Sequence, residues 1–159
     1  MQSKKTESLL VALLLSQLAA TAQERRLPGL KVSANKHYLM TDNGQPFFWL
    51  GDTGWLLFVK LTREEAAQYL EDRRQKGFNV IQSMVLHTLS AVNAYGDTAL
   101  TGRNVARPRT TPGNAFSNPV QYDFWDHVDW IIDLAAQKGL YMALVPVWGS
   151  NVKEGGVSR

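Results

Sequence analysis

Six side chains in this sequence are of types that can hold a hydroxyl-rich ligand: Asp52, Trp55, Gln82, His87, Trp148 and Asn151. Asp52 lies in FFWLGDTGWLLF, Phe47 to Phe58, where apolar residues crowd both sides of Gly51, Asp52, Thr53 and Gly54. An ionised carboxylate taken out of water without partners is costly, so Asp52 must pair, cap a turn or face a wet cavity. At the end of a strand it can point into a cleft and accept from a ligand hydroxyl or orient a neighbour. Alternatively, it forms a turn by accepting backbone N–H groups. Trp55 can stack on a ring or act as a lid over core. Trp148 offers the same flat surface at the end of a second apolar run. Gln82 can donate and accept toward hydroxyls or satisfy nearby backbone. His87 opens a long aperiodic stretch and is the best placed of the three histidines for a ligand contact. Asn151 is a further polar candidate.

These residues are positioned by elements that the pattern defines. Tyr38–Met40 reads as a strand, Asp42-Asn43-Gly44 as a tight turn, and Pro46–Leu50 as the return strand. Thr62 followed three residues later by Glu65 is a capping box. It opens a helix with Ala66, Tyr69 and Leu70 on one face and Glu71, Asp72, Arg73, Arg74 and Lys76 on the other. Gly77 closes it. Phe78–Leu86 then reads as a strand buried on both faces. A second helix begins near Pro119–Asp123 and runs to Lys138, with Phe124, Val128, Ile131 and Ala135 aligned. Gly139 ends it, and Leu140–Trp148 is a further buried strand. Alternating strands and helices predict right-handed crossovers and a parallel sheet. The stretch from His87 to Pro119 has no period, and a loop of that length in a compact domain is usually functional or disordered.

Composition narrows the class. The chain has 159 residues, 45% hydrophobic and 19% charged, which suits one globular domain. A net charge of +3 without a dense Lys/Arg run excludes an electrostatic footprint for nucleic acid. Cysteine is absent, so thiolate chemistry is excluded within the chain. His37, His87 and His127 have no paired spacing and give no metal signature, and no cofactor motif occurs. His127 reads as a surface or half-buried hydrogen-bonding residue, and Asp123, Asp126, Asp129 and Asp133 as a helix start with its solvated face. At the N-terminus, Lys4 and Lys5 precede the apolar run Leu9–Ala20, and Ala20-Thr21-Ala22 fits a signal-peptidase site. Residues 1–22 therefore read as a signal peptide, 23–30 as a linker and 31–159 as the domain. The expected location is secreted or periplasmic, with no membrane span after cleavage. Three strands and two helices leave sheet edges open, so the domain reads as the truncated front of a larger fold; a (β/α)8 barrel needs roughly 250 residues.

Two stretches, YLMTDNGQPFFWLGDTGWLLFVKLTREEAAQYLEDRRQKGFNVIQ and YDFWDHVDWIIDLAAQKGLYMALVPVWGSNV, resemble the opening units of the apiosidase-like glycoside hydrolases, family 140. The pairing of WLGDTGW with KGLYMALVPVWG carries the resemblance, which covers about Pro28 to Arg159. It implies the N-terminal portion of a (β/α)8 TIM barrel preceded by a short hairpin strand. It also implies secretion by bacteria that degrade plant polysaccharides, and cleavage of pectin-type side chains. The expected partner is an oligosaccharide or polysaccharide. Glycoside cleavage uses two carboxyl groups across the scissile bond. In this family they lie near the ends of later barrel strands, so none of the residues here takes either role. The competing readings are a non-catalytic carbohydrate-binding or interaction module and an inactive truncated product.

Overall fold

The computed structural model describes residues 27–148. Two three-stranded sheets and two long helices make up the fold. The N-terminal sheet is antiparallel, in the order β1 (Leu30–Val32), β2 (Leu39–Thr41), β3 (Pro46–Phe47). Its β2–β3 turn is the expected one. Gly44 takes φ +89°, a region open to glycine at little cost, and Thr41 N–H donates to Gln45 O at 2.8 Å. The last residue read as linker, Leu30, already belongs to β1. The proposed signal peptide lies outside the described residues.

The return strand is shorter than expected. It stops at Phe47, and a separate strand, β4 (Gly51–Thr53), begins the second sheet. That sheet is parallel, in the order β4, β5 (Val80–Leu86), β6 (Tyr141–Val147). Asn79 makes the corner between the two sheets. Its side-chain N–H donates to Phe48 O at 2.6 Å, and its Oδ1 accepts from Leu50 N at 2.9 Å. These bonds satisfy backbone that belongs to neither ladder. The small sheet sits at the N-terminal ends of the parallel strands. Phe47 meets Tyr141 edge-on at 5.1 Å, and Tyr141 Oη donates to Pro28 O at 2.6 Å.

One turn of helix, α1 (Leu57–Lys60), follows β4 and buries Leu57 and Phe58. It is too short to show a period, and the sequence pattern gave no sign of it. Helix α2 (Arg63–Gln75) starts with the expected capping box between Thr62 and Glu65. Helix α3 (Phe124–Gln137) starts with a second one, between Asp123 and Asp126, so these two aspartates cap the helix rather than merely complement its dipole. Gly77 and Gly139 close the helices with φ +83° and +80°.

Both helices pack on one face of the parallel sheet. The core there joins Phe58, Ala66 and Leu70 to Ile81, Phe124, Val128, Ile131, Ala135 and Leu140. The register aligns Asp52 with Ile81 and Ile81 with Met142, which puts these three side chains on the helix face. Leu144, two residues on from Met142, belongs to that face too, yet it is 42% exposed at the sheet edge. Thr53, Gln82 and Ala143 are aligned on the opposite face.

Candidate functional site

The glycines around Asp52 have a specific purpose. A Cβ on Gly54 would lie 2.9 Å from Tyr69 Oη, and one on Gly51 would lie 2.8 Å from Trp49 Nε1. Each glycine therefore lets a ring approach the backbone. Tyr69 uses that space to donate its hydroxyl to Asp52 Oδ2 at 2.8 Å. The Arg73 guanidinium donates to the same oxygen and lies 4.8 Å above the Tyr69 ring. Ser83, fully buried beside this network, donates to Gly54 O at 2.8 Å. Burial pushes the Asp52 carboxyl up, but donation from Tyr69 and Arg73 outweighs it and holds Asp52 below the usual carboxylate range. Burial, reinforced by the bond to Asp52, pushes the Tyr69 hydroxyl up to about 12.

This corrects the expectation that Asp52 ends its strand and points into a cleft. It is the middle residue of β4, on the helix face, and it ties β4 to α2. An aspartate flanked by core on both sides cannot be assigned a face from apolar runs alone. Its register with Ile81 assigns it. Tyr69 and Arg73, four residues apart on one face of α2, are functional partners that the sequence pattern had read only as core and solvated face.

The C-terminal ends of the parallel strands bring two predicted residues together. Trp55 and Trp148 meet edge-on, with centroids 5.9 Å apart and planes at 78°. Trp148 stays 49% exposed in this pair. Trp55 remains close to the sheet, because its carbonyl accepts from Met84 N at 3.2 Å. Gln82 is the third residue of β5, inside the strand rather than at its end. It lies between Thr53 and Ala143 on the face away from the helices, and its side chain makes no hydrogen bond among the described residues. The Gln82 amide can donate and accept toward hydroxyls, and the indole pair at the strand ends offers an apolar face to a ring.

His87 is exposed at the head of the long segment and lines a shallow cavity of about 190 Å³ with Lys60, Thr88 and Ser90. Asn151 lies outside the described residues. A larger hollow, about 580 Å³, is walled by Pro28, Arg74, Lys138 and Gly139 at the N-terminal ends of the strands. That is the end opposite to where parallel α/β sheets bind ligands. Among the described residues no three His, Asp or Glu side chains converge in a way that would hold a metal ion. No helix there is long and apolar enough to cross a membrane.

The segment from Thr88 to Tyr122 is packed down rather than loose. Ala91, Ala99 and Leu100 are buried, and Trp125 Nε1 donates to Ala99 O at 3.0 Å. Asp123, besides capping α3, accepts from Thr111 N at 2.6 Å. His127, expected at or near the surface, is fully buried. Tyr95, Tyr122 and Arg63 surround it, and contacts of this kind between distant loop positions leave no periodic trace in the sequence.

Residues 33–159 match the family model for the apiosidase-like catalytic domain. The chain belongs to this family. Among solved structures it is similar to a protein titled glycoside hydrolase, with 42% identity and a TM-score of 0.67 over 82% of this chain. It is also similar to a Bacteroides vulgatus glycoside hydrolase titled as family 5, with 35% identity and a TM-score of 0.68 over 84% of this chain. The match covers 28% of each of those two chains, so this sequence spans less than a third of their length. No curated protein matches. The apiosidase-like domain thus contains a glycoside hydrolase-type α/β unit. Trp55 and Trp148 meet at the C-terminal ends of its parallel strands, and Asp52 ties β4 to α2.

Proposed function

We infer that the chain is the first part of a (β/α)8 barrel in a secreted glycoside hydrolase that trims side chains of plant cell-wall, pectin-type polysaccharide. The supporting observation is the Trp55–Trp148 pair at the C-terminal ends of three parallel strands in an apiosidase-like domain. Barrel enzymes place substrate at that end. In this reading, one indole stacks on a sugar ring and Gln82 meets a hydroxyl. The two carboxylates that do the chemistry come from parts of the protein other than β4–β6. Asp52 is not one of them, because Tyr69 and Arg73 occupy it on the outer face. Secretion rests on the signal-like residues 1–22.

The test is incubation of the full-length protein with pectin-derived oligosaccharides, with released sugar followed by chromatography. Release of a terminal side-chain sugar is the expected result. Tight binding of the same oligosaccharides without any release would overturn the hydrolase reading and favour a carbohydrate-binding module.

A further inference from the structure

Besides the bonds of Ala99 to Trp125 and of Thr111 to Asp123, the segment after β5 is tied to the helices by a chain of hydrogen bonds that runs through His127. Arg63, the first residue of α2, has its guanidinium carbon 4.2 Å from the Phe116 ring centre, 4.7 Å from Tyr122 and 4.6 Å from Trp130. Its backbone N–H donates to Tyr95 Oη at 2.8 Å, and its Nε donates to Tyr122 Oη at 3.0 Å. Tyr122 Oη is 3.1 Å from His127 Nδ1, and His127 Nε2 is 3.0 Å from Leu61 O. A carbonyl only accepts, so Nε2 carries the imidazole proton and Nδ1 is the acceptor. Arginine only donates, so the Tyr122 hydroxyl is free to give its own proton to Nδ1. Neutral His127 is therefore the only form that satisfies the whole chain.

A second proton on His127 undoes this. Nδ1–H would then point at Tyr122 Oη, and the Tyr122 hydroxyl proton would have to turn away and lose its acceptor. A cation would also form in a buried position beside Arg63. The charged and titratable groups around it are Arg63 from α2, Tyr95, Asp97 and Tyr122 from the segment, and Asp123 and Asp126 from the start of α3 itself. Of these, Asp97 favours the proton and Arg63 opposes it, while burial opposes it most. Burial thus holds His127 below its ordinary value of 6.5.

We propose that Arg63, Tyr122 and His127 form an acid-sensitive latch that holds the segment between β5 and α3 against the N-terminal ends of α2 and α3, and that protonation of His127 releases it. The folded value is depressed, so latch stability is fully present above pH 6.5 and falls as acid lowers the pH below it. The segment springs from the C-terminal end of β5 at His87, so its release widens the rim beside the strand ends. The outcome does not depend on which ligand that rim binds.

The experiment is amide hydrogen exchange on the full-length protein, corrected for intrinsic rates, at about pH 7.5 and about pH 5.0. Peptides within residues 91–118 are expected to lose at least about tenfold in protection at the lower pH, while β5 and β6 keep theirs. In His127→Gln, which cannot take up a proton, the segment's protection is expected to be the same at both values. Where that variant does not fold, His127→Asn replaces it; it likewise carries no titrating ring, and its segment is expected to be equally protected at both pH values. A wild-type segment equally protected at both pH values overturns the latch. So does a His127→Gln or His127→Asn protein that still loses protection as the wild type does.

Discussion

Replacing Gly54 by alanine isolates the contact that explains why a carboxylate sits among apolar residues in the first parallel strand. Gly54 has no left-handed backbone requirement, since it is absent from the positive-φ glycines. Without a steric conflict, Gly→Ala at such a site stabilises by about 0.4–1 kcal/mol through the unfolded chain. The structure predicts the opposite sign. The new methyl would lie 2.9 Å from Tyr69 Oη and 3.3 Å from Tyr69 Cζ, closer than carbon atoms settle. Tyr69 cannot step aside freely, because it donates to Asp52 and stacks under Arg73. Displacing it forfeits a hydrogen bond to a charged group, about 1.5–3 kcal/mol, and adds overpacking of about 1 kcal/mol. A net loss of about 2–3 kcal/mol is expected after the unfolded-state gain. Urea unfolding of the full-length protein, in wild type, Gly54→Ala, Tyr69→Phe and the double variant, reads it directly. In the Tyr69→Phe background the hydroxyl is gone, and Gly54→Ala is expected to cost less than about 1 kcal/mol. A Gly54→Ala protein as stable as wild type, or an equal cost in both backgrounds, would refute the close-approach explanation.

Three further outcomes follow from the same geometry. The Tyr69 hydroxyl is raised to about 12 in the folded protein, so its contribution is present below the ordinary value of 10.0 and lost as pH rises toward 12. Unfolding midpoints measured across that window should fall for wild type by more than for Tyr69→Phe. Asp52 titrates below its ordinary value of 3.8, so its contribution is present above that pH and disappears as acid protonates the folded form; Asp52→Asn should flatten this part of the acid-unfolding curve. Asp123→Ala removes the α3 cap together with the bond from Thr111 N, and should cost about 2–3 kcal/mol in urea, against about 1 kcal/mol for Thr62→Ala, which loses only the α2 cap.

How much of this the sequence disclosed depends on whether the signal was local. The Thr62–Glu65 cap, the helix-closing Gly77 and Gly139, and the Asp42-Asn43-Gly44 turn each act within a few residues, and each stands where the pattern placed it. Strands β5 and β6 were legible from their apolar runs, but β6, read as buried, has no buried residue, because it is an edge strand of its sheet. The face of Asp52 was not legible. A three-residue strand between two apolar runs has no alternation to read, and only its pairing with Ile81 assigns it to the helix side. The hairpin ran too long in the sequence reading for a related reason. Phe48, Trp49 and Leu50 look like strand, but Asn79, 29 residues from Leu50, takes up their backbone and turns the chain. His127 looked superficial because it stands among aspartates; the aromatic groups that bury it come from Tyr95 and Tyr122 in an aperiodic segment.

The central claim is that the indole pair at the C-terminal strand ends is where a sugar is held. Steady-state kinetics of Trp148→Ala in the full-length protein, on whichever oligosaccharide the wild type cleaves, tests it most directly. The account predicts that kcat/KM falls about tenfold or more, a loss of at least about 1.4 kcal/mol, while the urea midpoint barely moves because Trp148 is half exposed. Unaltered kcat/KM in a folded Trp148→Ala protein would contradict it.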